Sequence, residues 1–512
     1  MSPIAHTDDL GGATGPHPDT VTADALAVLQ PGFAGTTAPA WVLRLLGEGL
    51  GSVGLFARNV ESPEQVAALT AQLREVRPDV LVAADEEGGD VTRLEARGGS
   101  SFPGNLALGA VDDLKLTRAV AAELGRRLAA CGVNFNWAPS ADVNSDPGNP
   151  VIGVRSFGAD PELVARNTAA YVEGLQSAGV AASVKHFPGH GDTAVDSHHA
   201  MPRIDVDLDT LRARELVPFR AAIAAGAKVV MSAHILVPAL DPDLPGTLSP
   251  AVLGGLLRAP REEGGLGYDG LVVTDGIEMQ AIAATYGIER GTVMALAAGC
   301  DAICVGGGLC DEQTALDLRD AIVAAVRDGS LPAERLADAA RRVRELAAWA
   351  VAQRSGAAEG SAPDSDIGLE AARRALRITR AEGFTPLDNP PYVAAFTPMA
   401  NIAVGDVTPW GVAAELERLL PGTRTGTYRT DDVTELLAAA GDRRVVAVVR
   451  DAHRHAWMAR ALDGLLAARP DTIVVEMGVP QAPPVGSLHI ATHGAARVCG
   501  EAAAEAIVGR EA

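Results

Sequence analysis

Eight short apolar runs alternate with helical patterns along the N-terminal part of the chain, and this alternation limits the possible folds more than any other feature. The segments between them, such as residues 112–131 and 160–178, are rich in alanine, leucine and arginine, as amphipathic helices are. Strands that alternate with helices pair in parallel. Eight such units predict an α/β fold with a closed (β/α)8 TIM-type barrel, and an open doubly wound sheet is the alternative. The runs are residues 25–33, 51–59, 79–89, 132–143, 180–189, 227–235, 270–279 and 300–308.

Polar side chains stand at the carboxyl end of nearly every run. In a barrel these ends share one mouth, where active sites are built, whereas in an open sheet they would spread along a crevice. The ends of the runs therefore predict where the chemistry takes place. The residues concerned are Asp85, Asn136, Asp142, Lys185, His186, His234 and Asp275.

The densest polar stretch is residues 180–202, which contains four of the chain's 11 histidines. Within it, Asp196 and His198 are two positions apart, so the carboxylate can orient the imidazole and stabilise its cation. A solvated loop with incidental histidines and a zinc site are the alternatives. Lys185 argues against zinc, because its ammonium group would repel the metal.

The string KHFPGHG, followed after four residues by DSH, resembles the signature of the β-N-acetylhexosaminidase branch of glycoside hydrolase family 3. The likeness continues through residues 135–158, covers about residues 25–350 and is weak beyond them. It implies an exo-acting, retaining β-N-acetylglucosaminidase that needs no metal or organic cofactor. The substrates it implies are small glycans that end in β-linked GlcNAc, such as peptidoglycan fragments or chitin oligosaccharides.

The same resemblance assigns the catalytic roles. Asp275, in the motif VVTDG, would be the nucleophile that forms a covalent glycosyl-aspartate, and a helix N-cap is its alternative role. His198 would be the acid/base and Asp196 its partner. The assignment is chemically sound, because imidazolium can protonate a leaving oxygen and neutral imidazole can then deprotonate water.

Five further residues match positions at which the family binds the non-reducing sugar. A carboxylate such as Asp85 can accept hydrogen bonds from vicinal hydroxyls, and a structural ion pair is the alternative role of Arg155. Four positions depart from the family pattern. Asp90 stands where a basic residue is usual, Glu86 where Gln is commonest, and Gly276 and Ile277 where Asp and Leu are frequent. The five predicted substrate-binding residues are Asp85, Arg93, Arg155, Lys185 and His186.

Three other functions compete with the hydrolase. A phosphorylase of the same sugars would transfer the glycosyl group to phosphate, which a neutral imidazole base does not repel as a carboxylate would. A β-glucosidase of the same family would take a carboxylate acid/base from the second domain, and the Asp196–His198 pair argues against it. The intact Asp275 and His198 argue against a catalytically silent sugar-binding protein.

Composition along the chain predicts four parts. Residues 1–20 are polar, rich in glycine and proline, and expected to be flexible, and residues 21–352 form the barrel. Residues 353–387 are a linker followed by a connecting helix at 369–380. Residues 388–512 form a smaller α/β domain with strands expected at 392–398, 444–450, 471–478 and 487–494.

The net charge of −22 argues against nucleic acid and anionic membrane as partners, because phosphate groups bind basic surfaces. The first 20 residues show no basic and apolar leader, and no apolar stretch approaches the ~18 residues that span a bilayer. Five cysteines are an odd number for a disulfide framework. We therefore expect a cytoplasmic enzyme whose partners are a small glycan and, for the phosphorylase, inorganic phosphate.

Overall fold

The computed structural model describes residues 18–193, 201–309, 311–356, 366–397 and 408–510. Each of the eight predicted runs contains a strand, although the strands are shorter than the runs. They are β1 (Leu29–Pro31), β2 (Ser52–Leu55), β3 (Leu81–Ala84), β4 (Phe135–Asn136), β5 (Ala181–Phe187), β6 (Val229–Ser232), β7 (Leu271–Thr274) and β8 (Ile303–Val305).

The eight strands curl into a barrel. β2 to β7 pair in sequence order as one parallel sheet, and β1 pairs in parallel with β8, with Leu29 opposite Ile303. The two sheets meet at both edges: Val273 of β7 bridges Ala302 beside β8, and Ser52 Oγ in β2 donates to Leu29 O in β1 at 3.3 Å. The predicted TIM-type barrel is confirmed, and the open-sheet alternative is wrong.

Helices surround the barrel because each turns an apolar face toward the strands. Their starts follow local capping chemistry: the Asp113 carboxylate accepts from the backbone N–H of Lys115 and Leu116, and Asp160 caps the helix that begins at Pro161. No described helix is both long and apolar enough to cross a bilayer. The α-helices up to residue 356 are α1 (Pro18–Ala27), α2 (Ala40–Glu48), α3 (Pro63–Val76), α4 (Asn105–Val111), α5 (Leu114–Ala130), α6 (Pro161–Ser177), α7 (Leu208–Ala213), α8 (Leu216–Ala224), α9 (Gln280–Tyr286), α10 (Ile288–Ala298), α11 (Glu312–Asp328) and α12 (Ala333–Gly356).

The interior of the barrel is filled with side chains. Inward-facing residues of different strands form one buried cluster that includes Leu81, Phe135, Met231, Val273 and Cys304. This packing makes the barrel a core rather than a pore. The polar residues that follow the strands therefore lie above a closed floor.

A second, smaller α/β domain follows the barrel. Five parallel strands are ordered β11-β10-β12-β13-β14, and β9 pairs antiparallel with β14. The strands are β9 (Arg377–Arg380), β10 (Tyr392–Phe396), β11 (Arg424–Tyr428), β12 (Val445–Val449), β13 (Ile473–Glu476) and β14 (Leu488–Ala491). The helices are α13 (Ile367–Ala375), α14 (Ala413–Leu419), α15 (Thr434–Ala440), α16 (Ala456–Ala468) and α17 (Arg497–Ile507).

Two of these strands correct the sequence prediction. The helix expected at residues 369–380 ends at Ala375, and Arg377–Arg380 forms β9 instead, because Ile378 packs on the second core while β9 hydrogen-bonds to β14. β11 (Arg424–Tyr428) was not predicted at all. Its sequence RTGTY is polar and largely exposed, and only its pairing with β10 makes it a strand.

The carboxyl edge of the second sheet lies against the mouth of the barrel. Arg450, which follows β12, forms an ion pair with Asp90, which follows β3. Ala495 N, after β14, donates to the same carboxylate at 2.7 Å, and His453 Nε2 lies 2.8 Å from Pro147 O. The second domain thus forms part of the rim around the barrel mouth.

Candidate active site

A cavity of about 550 Å³ opens at the carboxyl ends of the barrel strands. Its wall is built by residues of β5, β6 and β8 and by the segments that follow β2, β3, β4, β5, β7 and β8, and Thr408 of the second domain also lines it. Six of the eight predicted site residues line this one cavity: Asp85, Arg93, Arg155, Lys185, His186 and Asp275. The other two, Asp196 and His198, lie outside the described residues.

Asp275 is the first residue beyond β7. Its backbone N–H donates to Ser232 O of β6 at 3.1 Å, so the sheet ladder holds its position, and its Oδ1 accepts from Gly276 N at 2.8 Å. The next helix, α9, begins only at Gln280, and its N-cap is Met279. The alternative role of Asp275 as a helix N-cap is therefore wrong.

Two polar residues at strand ends hold the backbone of the site rather than line the cavity. His234 lies 2.9 Å from Gly276 O through Nε2 and 2.9 Å from Thr247 Oγ1 through Nδ1, which steadies the turn after Asp275. Asn136 accepts from Glu86 N at 3.0 Å and donates to Glu86 O at 2.7 Å. Both are absent from the cavity wall among the described residues.

A network of opposite charges forms one side of the cavity. Lys185 Nζ lies 2.6 Å from Asp85 Oδ1 and 2.7 Å from Glu87 Oε1. Arg155 binds Glu87 through Nε at 3.0 Å and Nη2 at 2.7 Å, and Arg93 Nη2 lies 3.0 Å from Asp85 Oδ2. Glu87 received no role from the sequence, although it stands in the acidic run that follows β3. The ion pair considered for Arg155 exists, and its side chain also lines the cavity.

Glu87 and Lys185 keep their charges although they are buried. Burial acts to raise the pKa of Glu87, but Arg155 and Lys185 hold it well below its ordinary value. Burial acts to lower the pKa of Lys185, but Asp85 and Glu87 raise it above its ordinary value. The network therefore offers fixed cations and carboxylates to neutral polar groups such as sugar hydroxyls.

Asp142 orients His186. Its Oδ2 lies 2.7 Å from His186 Nδ1, and its Oδ1 accepts the backbone N–H of His186 at 3.2 Å and of His190 at 2.7 Å. Burial acts to raise the pKa of Asp142, and the two histidines hold it far below its ordinary value. The Asp142 carboxylate thus fixes the orientation of the His186 ring, whose Nε2 lies 3.4 Å from Arg155 Nη2.

The remaining wall is largely apolar. Phe56 and Trp137 lie with ring centroids 5.7 Å apart, and Met231 and Cys304 belong to the same apolar cluster. Trp137 is fixed by a hydrogen bond from Nε1 to Gln30 Oε1 at 3.2 Å. A pyranose has polar edges and apolar faces, and a cavity with one wall of each kind suits it.

The chemistry of the donor set does not favour a metal. Among the described residues, no group of three or more His, Cys, Asp or Glu side chains is arranged to hold an ion. The carboxylates of the charge network, Asp85 and Glu87, are already paired with Lys185, Arg93 and Arg155. The described side chains of the cavity are thus arranged for hydrogen bonding.

Glu86, one of the departures from the family pattern, is buried and directly precedes Glu87 of the charge network. Its Oε2 accepts from Arg93 N at 2.7 Å and from Leu94 N at 2.8 Å. Burial raises its pKa from 4.5 to about 7 although these hydrogen bonds oppose the shift. The folded chain therefore holds this proton more tightly than the unfolded chain, and the free energy of unfolding falls as the pH rises from about 4.5 through about 7.

The Glu86→Gln variant should lose this pH dependence, because the amide keeps an acceptor oxygen but cannot ionise. We expect its free energy of unfolding to exceed that of the wild type by up to about 3 kcal/mol at pH 8, with a much smaller difference at pH 5. Urea unfolding at the two pH values measures both. A variant whose stability falls between pH 5 and 8 as steeply as that of the wild type would contradict the prediction.

Comparison with known sequences identifies relatives of the barrel. The model of the glycosyl hydrolase family 3 N-terminal domain matches residues 37–346. β-Hexosaminidase A of Pseudoalteromonas piscicida is 38% identical over 289 residues, which are 52% of this chain and 47% of that relative, so the chain spans about half its length. A β-hexosaminidase of Alkalilimnicola ehrlichii is 40% identical over 261 residues, 50% of this chain and 73% of the relative.

Two solved structures extend the comparison. A glycoside hydrolase family 3 β-N-acetylglucosaminidase from Paenibacillus sp. matches 96% of this chain and 97% of its own, with a TM-score of 0.83 and 36% identity. A β-N-acetylhexosaminidase from Beutenbergia cavernae matches 64% of this chain and 98% of its own, with a TM-score of 0.58 and 32% identity. The first likeness includes both domains of the present fold.

Proposed function

The chain belongs to glycoside hydrolase family 3, and on that premise we propose that it is an exo-acting, retaining β-N-acetylglucosaminidase. It releases terminal β-linked GlcNAc from peptidoglycan fragments or chitin oligosaccharides. One observation supports this most directly: Asp275 and all five predicted sugar-binding residues line one cavity, whose bottom is closed. The names of the relatives, β-hexosaminidase and β-N-acetylglucosaminidase, support the choice of sugar.

The terminal sugar binds through its hydroxyls. Asp85 accepts hydrogen bonds from vicinal hydroxyl groups, and its partners Lys185 and Arg93 donate to the oxygens of the same groups. Arg155 and His186 extend this polar surface around the ring. Because packed side chains close the floor of the barrel, the cavity takes the end of a glycan, and cleavage is exo-acting.

The reaction passes through two displacements. In the first, an Asp275 oxygen bonds to the anomeric carbon, the glycosidic C–O bond breaks, and the leaving oxygen takes a proton from His198. In the second, His198 removes a proton from water, the water oxygen bonds to the anomeric carbon, and the bond to Asp275 breaks. Two inversions restore the original configuration. Asp196 orients His198 and stabilises its cation.

Product analysis of p-nitrophenyl β-GlcNAc turnover, with and without phosphate, tests this function. We expect GlcNAc whose first-formed anomer is β, as seen by NMR. GlcNAc-1-phosphate at high phosphate would instead make the protein a phosphorylase. Preference for p-nitrophenyl β-glucoside would make it a β-glucosidase, and a well-folded protein without turnover of any β-glycoside would overturn the proposal.

The setting we propose is peptidoglycan recycling in the cytoplasm. The four described cysteines, Cys131, Cys300, Cys304 and Cys499, are all buried free thiols, which suits a reducing compartment. Small soluble glycans with a terminal GlcNAc are the substrates that such a compartment would supply.

A further inference from the structure

We propose that Arg450, in the second domain, is a positioning residue for the sugar-binding loop of the barrel. This loop comprises residues 85–93 and is called the sugar loop below. The inference rests on the proposed function and adds a role for the second domain in binding the terminal sugar. It starts from the ion pair between Arg450 and Asp90, which joins the two domains beside the cavity.

Each charged group of the network either belongs to the sugar loop or forms an ion pair with a residue of it. Its first residue, Asp85, and its last, Arg93, line the cavity and pair with each other at 3.0 Å. Between them, Glu87 binds Arg155 at 2.7 Å and Lys185 at 2.7 Å. A shift of the loop would therefore displace both carboxylates and the three cations that depend on them.

The middle of the loop is a tight turn that transmits the position of Asp90 to Glu87. Glu87 N donates to Val91 O at 3.0 Å, and Gly88 and Val91 form an antiparallel bridge. Gly88 and Gly89 have φ of +77° and +66°, in the left-handed region that glycine adopts most easily. Asp90 follows them directly, so its anchor sets the orientation of the turn.

Asp90 is anchored by the second domain on both oxygens. Its side chain is 1% exposed, Oδ2 pairs with Arg450, and Oδ1 accepts from Ala495 N at 2.7 Å. A buried carboxylate is costly unless such partners compensate for its lost hydration. The conformation in which Asp90 is buried therefore depends on the second domain.

Arg450 itself stands on a fixed backbone. The buried carboxylate of Glu476 accepts from Asp451 N at 2.9 Å, Ala452 N at 3.1 Å and Gly478 N at 2.7 Å. These bonds tie the residues after β12 to the end of β13. The backbone that carries Arg450 is thus fixed, so its guanidinium group is held opposite Asp90, as a positioning residue requires.

The second domain also approaches the segment that carries Arg155. Arg155 lies in a 3₁₀ turn that begins at Gly153, and a Cβ atom at Gly153 would lie 3.6 Å from Val479 Cγ2. Val479 directly follows Gly478, the third backbone donor to Glu476. The same edge of the second domain therefore lies beside both segments that meet in the Arg155–Glu87 ion pair.

The Arg450→Ala variant tests the proposal. We expect kcat/KM to fall about tenfold to a hundredfold and the Kd of free GlcNAc to rise by a similar factor, because the sugar subsite is misplaced. The loss should be the same for a nitrophenyl glycoside and a GlcNAc disaccharide, since the leaving group takes no part in it. Arg450→Lys should recover part of the activity. The double variant, Arg450→Ala with Asp90→Asn, should lose no more kcat/KM than the more damaged of the two single variants.

Arg374→Ala is the matched control. Arg374 Nη2 lies 2.8 Å from Asp113 Oδ2, an ion pair between α13 and the N-cap of α5 that lies outside the cavity wall. The kcat/KM of Arg374→Ala should stay within about twofold of the wild-type value. The isosteric Asp90→Asn variant carries the test if Arg450→Ala does not fold. Folded Arg450→Ala and Asp90→Asn proteins with unchanged kcat/KM, beside an active wild type, would overturn the inference. An inactive wild type would instead overturn the proposed function.

Discussion

The Asp275→Ala variant is expected to lose kcat by at least about 10⁴-fold on every substrate. In the proposed mechanism, both displacements pass through the bond between this carboxylate and the anomeric carbon. A better leaving group therefore cannot compensate for its loss. Steady-state assays with a nitrophenyl glycoside and with a GlcNAc disaccharide measure the effect. A variant that kept more than about a tenth of wild-type kcat would show that Asp275 is not the nucleophile.

Glu278 provides a control close to Asp275. It lines the same cavity three residues later, and its Oε1 accepts from Gly306 N at 3.2 Å and from Gly307 N. Because this carboxylate holds a turn, Glu278→Gln should lower kcat far less than Asp275→Ala does. Azide should partly rescue Asp275→Ala by entering the space of the missing carboxylate. The product would be the α-glycosyl azide, because a single displacement inverts the anomeric centre.

The barrel could be predicted because its information is local. Each strand is an apolar run whose length and flanking residues distinguish it from the neighbouring helices. Parallel pairing then brings the carboxyl ends together, which is why Asp85, Lys185 and Asp275 line one cavity although they are far apart in sequence. The predicted family is confirmed by the match of residues 37–346.

Contacts between distant segments could not be predicted in this way. Glu87 and Asp90 belong to an acidic run that would also suit an exposed loop, and only the fold gives them Arg155 and Arg450 as partners. The edge strands β9 and β11 could not be predicted for the same reason. Their pairing with β14 and β10 outweighs the secondary-structure propensity of their own residues. For Asn136 and His234 the sequence predicted too much. They stand at strand ends, where active-site residues were expected, but their side chains support the backbone.

The two proposed duties of His198 depend differently on the leaving group. A nitrophenolate leaves readily without a proton, whereas a sugar alkoxide does not. His198→Ala should therefore lose about 10²–10⁴-fold on a GlcNAc disaccharide and much less in the first displacement of an aryl glycoside. The ratio of kcat/KM for the two substrates measures the difference.

With the aryl substrate the second displacement should become limiting, because no imidazole activates the water. Formation of the glycosyl-aspartate then outpaces its breakdown, and a pre-steady-state burst of nitrophenol should appear in stopped flow. Asp196→Ala should show the same pattern more mildly, since His198 remains but is less well oriented. Equal losses on both substrates without a burst would mean that His198 only shapes its loop. The acid would then be sought among the cavity carboxylates, of which Glu278 is nearest to Asp275 in sequence.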